Sequence, residues 1–69
     1  MQHKIGAKEY KIGAKEYKNG YFSIQLNGQT IASYLTKDQA LFFYRGMMNG
    51  IEQIGQKIIL EDSIFALFH

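Results

Sequence analysis

The chain has 69 residues, 46% of them hydrophobic, with ten aromatics, no cysteine and a formal charge of +2. That length allows one domain, whose core buries only about 60% of the surface its unfolded chain would expose. The cysteine count excludes disulfides and thiolate zinc sites, the apolar content argues against disorder, and the small positive charge permits nucleic-acid contact without arguing for it.

The N-terminal region has no signal-peptide apolar segment, and no apolar run reaches the roughly 18 to 20 residues needed to span a bilayer. A reducing cytoplasm is therefore the expected location, with no membrane contact. Lys4-Ile5-Gly6-Ala7-Lys8-Glu9-Tyr10 recurs unchanged as Lys11-Ile12-Gly13-Ala14-Lys15-Glu16-Tyr17. Two copies do not make a solenoid. Residues 1–10 are read as an extension carrying the first copy, and residues 11–69 as a single small α+β domain. On that reading, deleting residues 4–10 should move the thermal midpoint by only a few degrees.

Lys18-Asn19-Gly20 follows the second copy and can turn the chain into Tyr21. A three-residue loop with Gly20 in the left-handed region pairs Ile12 with Leu26, Ala14 with Ile24, Glu16 with Phe22, Lys15 with Ser23 and Tyr17 with Tyr21. This register keeps the apolar residues together, whereas a two-residue loop would put Lys15 among them. Tyr21-Phe22-Ser23-Ile24-Gln25-Leu26 and Gln29-Thr30-Ile31-Ala32-Ser33-Tyr34 flank Asn27-Gly28, a strong signal for a type I′ hairpin. Straight pairing through that turn sets Leu26 against Gln29, Ile24 against Ile31 and Phe22 against Ser33. The expected apolar face is Ile12, Ala14, Phe22, Ile24, Leu26 and Ile31.

Thr36-Lys37-Asp38-Gln39 is a capping box, so a helix starts at about Lys37. Ala40, Phe43, Tyr44, Met47, Ile51 and Ile54 share one stripe, which carries the helix through Asn49-Gly50 to an end at Gly55, with an earlier stop at Gly50 as the alternative. Lys57-Ile58-Ile59-Leu60-Glu61 reads as a short strand, and Ile64-Phe65-Ala66-Leu67-Phe68 as an apolar tail of unassigned structure. The fold class is α+β: a three-stranded antiparallel meander packed on one helix, with a short C-terminal strand or helix.

Two surfaces are candidates for binding. Tyr17, Tyr21 and Tyr34 converge on the sheet face away from the helix, with Lys15, Ser23, Gln25 and Thr30 around them; a partner surface or unstacked bases could lie there. Tyrosines also favour strands and pair across them for stability alone. On the helix, Phe42 points away from the core beside Arg45, Asn49 and Gln53, next to a notch left by Gly46 and Gly50, each of which costs about 1 kcal/mol of helix propensity. The Ile64 to Phe68 tail is the favoured occupant of that notch, and a homodimer through the same surface is the competing one.

None of the six acidic residues pairs with another at helical spacing, no serine has a neighbouring histidine, and His3 and His69 lie at opposite ends. No catalytic residue, metal site or cofactor is expected. In outline, a three-stranded meander followed by a helix opening Thr36-Lys37-x-x-Ala40 resembles the small DNA-binding modules at the front of phage-type integrases and in a class of plant transcription factors. The resemblance covers residues 11 to 54 and would imply a DNA-reading sheet. The functional expectation is a small non-catalytic protein-binding chain, of the kind that acts as a regulator or inhibitor in phages and mobile elements; the alternative is a nucleic-acid-binding module using Lys11, Lys15, Lys18 and the tyrosines.

Overall fold

The computed structural model describes residues 9–69. Most of the first repeat copy, and His3, fall outside the described residues. Strands β1 (Glu9–Glu16), β2 (Phe22–Leu26) and β3 (Gln29–Leu35) form the meander, and helix α1 (Lys37–Gln53) follows. Strand β4 (Lys57–Leu60) and helix α2 (Asp62–Phe68) complete the chain, so the C-terminal segment supplies both a strand and a helix. The sheet order is β3-β2-β1-β4, with β4 parallel to β1. Since β3 and β4 are the two edges, α1 has to carry the chain back across one face of the sheet, and this is the face it covers.

The β1/β2 register is the expected one, from Ile12 opposite Leu26 to Glu16 opposite Phe22. Gly20 takes φ 84°, and the loop is closed by Tyr17 N–H donating to Tyr21 O at 2.7 Å and Gly20 N–H donating to Tyr17 O at 3.0 Å. At the other hairpin Asn27 and Gly28 both have positive φ, 53° and 82°. Asn27 does more than turn: its N–H donates to Lys11 O, and its Oδ1 accepts from Lys11 N–H, each at 2.8 Å, extending the β1/β2 ladder.

The β2/β3 register departs from straight pairing. Gln25 faces Thr30, but Ile24 faces Ala32 and Phe22 faces Leu35, so β3 carries two extra residues. This delivers Leu35 to the inner face. Leu35 then sits immediately before the Thr36 cap and shares the core with Ala40, the two positions of a hydrophobic staple. Ile31, expected in the core, is 42% exposed because it is one of the inserted residues.

The capping box is formed, with Gln39 N–H donating to Thr36 Oγ1 at 3.2 Å and Thr36 N–H to Gln39 Oε1 at 3.0 Å. The helix runs through Gly50 and ends in a Schellman arrangement: Gly55 N–H donates to Glu52 O and Gln56 N–H to Ile51 O, with Gly55 at φ 75°. Ile54 is the C-cap and is 62% exposed, a correction to its place in the core stripe; Phe43 is likewise partly exposed.

The core consists of Ile12, Ala14, Phe22, Ile24, Ala40, Tyr44, Ile51 and Ile64, with Tyr10, Leu26, Ile58 and Phe68 packed at its margin. After β4, Glu61 N–H donates to Ile12 O at 2.9 Å, and Ala14 N–H finds Ser63 Oγ at 3.0 Å. A side-chain hydroxyl thus replaces the strand that β4 does not extend. Ser63→Ala should leave the buried Ala14 N–H unpaired and cost about 1–3 kcal/mol, read as a lower urea midpoint with unchanged slope.

Strand β1 begins at Glu9, two residues before the second repeat copy, and Tyr10 pairs with Ile58 beside the core. Deleting residues 4–10 would place Gln2 and His3 in those two positions. The lost tyrosine packing amounts to about 1 kcal/mol, so the midpoint should fall by roughly 4–8 °C, more than the sequence alone suggests. A calorimetric scan of the shortened chain decides; no fall would mean that Tyr10 contributes nothing.

Candidate functional site

The outer face of the sheet is built by alternation. On β1, Ile12 and Ala14 point inward, which sends Lys11, Gly13 and Lys15 outward, and Tyr17 continues that side beyond the strand. Ser23 and Gln25 share it on β2, Thr30 lies opposite Gln25, and Tyr34 arrives through the second extra residue of β3. Tyr34 has φ 57°, the left-handed region, which costs a side-chain-bearing residue about 1–2 kcal/mol.

This backbone places the Tyr34 ring on that of Tyr17, with centroids 5.3 Å apart and planes at 25°. One ring comes from the residue just past β1 and the other from β3, the two neighbours of β2, so the stack spans β2. Ser23 lies on that strand; it is fully buried, and among the described residues its Oγ has no hydrogen-bond partner. Tyr34 remains 72% exposed, so one face of the stack is open.

Around the stack, Lys15 is exposed and Gln25 half-buried, while Tyr21 is 40% exposed and takes no part in the stack. Further along, Lys57 Nζ lies 4.0 Å from Glu9 Oε2, and the Glu61 carboxylate packs over Gly13 where a Cβ would otherwise stand. On this face Lys11, Lys15 and Lys57 are therefore offset by Glu9 and Glu61. The field is weak, and the basic sheet face of a DNA-reading module is not formed.

Phe42, Arg45 and Asn49 lie on the solvent side of α1, in the opposite layer from the tyrosines. The expected site residues thus form two separate surfaces. Phe42 is 82% exposed. The notch at Gly46 and Gly50 is not filled by the C-terminal tail: a Cβ at either position would meet nothing within 4 Å. Instead α2 packs on β1 and β4, burying Ile64, and Phe68 lies against Phe22 and Tyr44 with centroids 5.7 and 5.9 Å apart. The tail goes there because β4 leaves the upper half of β1 uncovered. His69 Nε2 is hydrogen-bonded to the buried Tyr44 hydroxyl at 3.0 Å.

No protein family, curated protein or solved structure matches the chain. The likeness to integrase-type modules is thus one of element order, and it brings no residue role with it. Among the described residues there is no ligand-sized pocket and no group of three or more histidine or acidic side chains, and no helix is long and apolar enough to cross a membrane. What sequence reasoning missed is the Tyr34 backbone and the burial of Ser23. Both follow from the extra residues in β3, which leave no mark in the alternation.

Proposed function

We propose that this chain is a non-catalytic module that binds another protein through the outer face of its sheet, with Tyr34 and Tyr17 at the centre, and acts by that contact as a regulator or inhibitor. The observation that carries this is Tyr34: an aromatic side chain held in the left-handed backbone region and left 72% exposed. Strain of this kind persists where the surrounding structure imposes it, and it collects at functional positions. Tyrosine is also among the side chains enriched at the energetic centres of protein interfaces. The flatness of the face and its nearly balanced charge fit a protein surface better than a small ligand.

Lys15 beside the stack, Lys11 on the same strand and Lys18 in the preceding loop favour a second reading, in which the tyrosines stack on bases and the lysines meet phosphates. The mutual stacking of Tyr17 and Tyr34 weighs against it, since each ring already covers one face of the other.

Capture from bacterial lysate by the immobilised chain separates these readings. A protein retained by wild type and by Phe42→Ala, and lost with Tyr17→Ala/Tyr34→Ala, supports the sheet face. Retention by wild type and both variants alike would remove it. For the second reading, titration with single-stranded DNA or RNA at low salt should show affinity falling with salt at a slope of about 0.7 per phosphate contact, and no binding at low salt ends that reading.

A further inference from the structure

The outward side of α1 and its C-cap carries a row at four-residue spacing: Phe42, Gly46, Gly50 and the C-cap Ile54. Its ends are bulky and its middle is a hollow. Phe42 and the C-cap Ile54 are more exposed than the other large hydrophobic side chains of this segment, and Phe43 borders the hollow. Among the described residues no element enters the hollow, and neither glycine has the positive φ that would call for its residue type. Glycine is a poor helix former, so these two positions weaken α1 with no compensating contact among the described residues.

From Phe42 to Ile54 the row carries no charge, and Asp38, one step before Phe42, bounds it. At about 100° per residue, the ionisable side chains of α1, Lys37, Asp38, Arg45 and Glu52, all fall roughly 100° or more from the centre of the row. Two-fold association sets a patch against itself, so a charge-free patch meets its copy without like-charge repulsion. Rows at four-residue spacing pack into one another when helices cross at about −50°, and small residues at the crossing let the backbones approach.

We propose that a second copy of this chain occupies the hollow: two α1 helices cross at Gly46 and Gly50 about a two-fold axis, with Phe42, Phe43 and Ile54 packed around the crossing. The surface available is roughly 500 Å² per copy, so the pair buries on the order of 1,000 Å², the lower bound of a specific interface. Association is accordingly weak and concentration-dependent. It leaves both tyrosine faces open, since they lie in the other layer, and makes the assembly bivalent.

Sedimentation equilibrium on the full chain, from roughly 10 μM to 1 mM, is the test; this range brackets dissociation constants typical of small interfaces. The wild-type mass should rise from 8.0 kDa towards twice that value. Tyr34→Ala should rise with it, while Gly46→Glu/Gly50→Glu keeps its helical circular dichroism and stays at the single-chain mass. A wild-type chain that remains single at the highest concentration overturns the proposal, as does a Gly46→Glu/Gly50→Glu chain that associates like wild type. Should that variant lose its helix, Phe42→Ser/Ile54→Ser alters only solvent-exposed side chains: dissociation at least tenfold easier sustains the proposal, and unchanged association refutes it.

Discussion

Ile64→Ala should destabilise the fold by about 2–5 kcal/mol, the range for truncating a buried aliphatic side chain to alanine. Ile64 is fully buried although it belongs to a seven-residue helix at the end of the chain. A helix of that length has no stability of its own in water, so α2 exists because Ile64, Leu67 and Phe68 pack on the core. Total stability for 69 residues is roughly 3–10 kcal/mol, and one substitution therefore removes a large share of it. Urea denaturation followed by tyrosine fluorescence and by far-ultraviolet circular dichroism should show both signals moving together to a lower midpoint. If α2 were instead a peripheral appendage, Ile64→Ala would change the midpoint by less than that range, and helical signal would be lost before the tyrosine signal. Phe65→Ala is the control: its ring is half exposed, so its cost should be far smaller.

The parts of this fold legible in the sequence are those in which neighbouring residues decide. Asn27-Gly28 sets a turn by its own backbone preferences, Thr36 and Gln39 cap a helix by bonds three residues apart, and the β1/β2 register follows from keeping Ile12, Ala14, Ile24 and Leu26 on one face. The remainder depends on partners far along the chain. Strand β4 chooses β1 across the whole of residues 17–56, and its parallel direction comes from the path of α1 rather than from Lys57-Ile58-Ile59-Leu60 itself. The β2/β3 shift is decided by the junction with α1: Leu35 reaches the core beside Ala40 only if β3 takes in two extra residues, and Ile31 is exposed in consequence. Period-two alternation assumes one residue opposite one, so it put Ile31 where Ala32 now stands.

The same shift explains the candidate site. Straight pairing brings Tyr34 opposite Tyr21, with all three tyrosines sharing a face by simple alternation. The second extra residue instead turns Tyr34 into the left-handed region and lays its ring on Tyr17, leaving Tyr21 aside. A convergence of the three tyrosines on the outer face was readable from the sequence; the direct stack of Tyr17 on Tyr34 was not. Nor was the strain that holds the two rings, because no residue type in Ala32-Ser33-Tyr34-Leu35 signals a positive φ.

Replacing Tyr34 with glycine should separate stability from binding. Glycine relieves the left-handed backbone by about 1–2 kcal/mol. Against this stand the loss of the ring stack, about 0.5–1.5 kcal/mol, and the greater freedom of glycine in the unfolded chain, about 0.5–1 kcal/mol. The net change is close to zero. Tyr34→Ala loses the stack and keeps the strain, so it should be the less stable of the two by about 1 kcal/mol, an order opposite to the one glycine and alanine show in regular structure. Under the proposed function, partner affinity falls in both variants by about 30-fold or more, the effect of removing an aromatic at the energetic centre of an interface. Thermal denaturation of the two variants together with titration of the captured protein makes the comparison. If alanine is the more stable replacement, the Tyr34 backbone is not strained and the argument from strain to function fails. If glycine at this position leaves affinity intact, the partner does not bind on the tyrosine stack, whatever the stability.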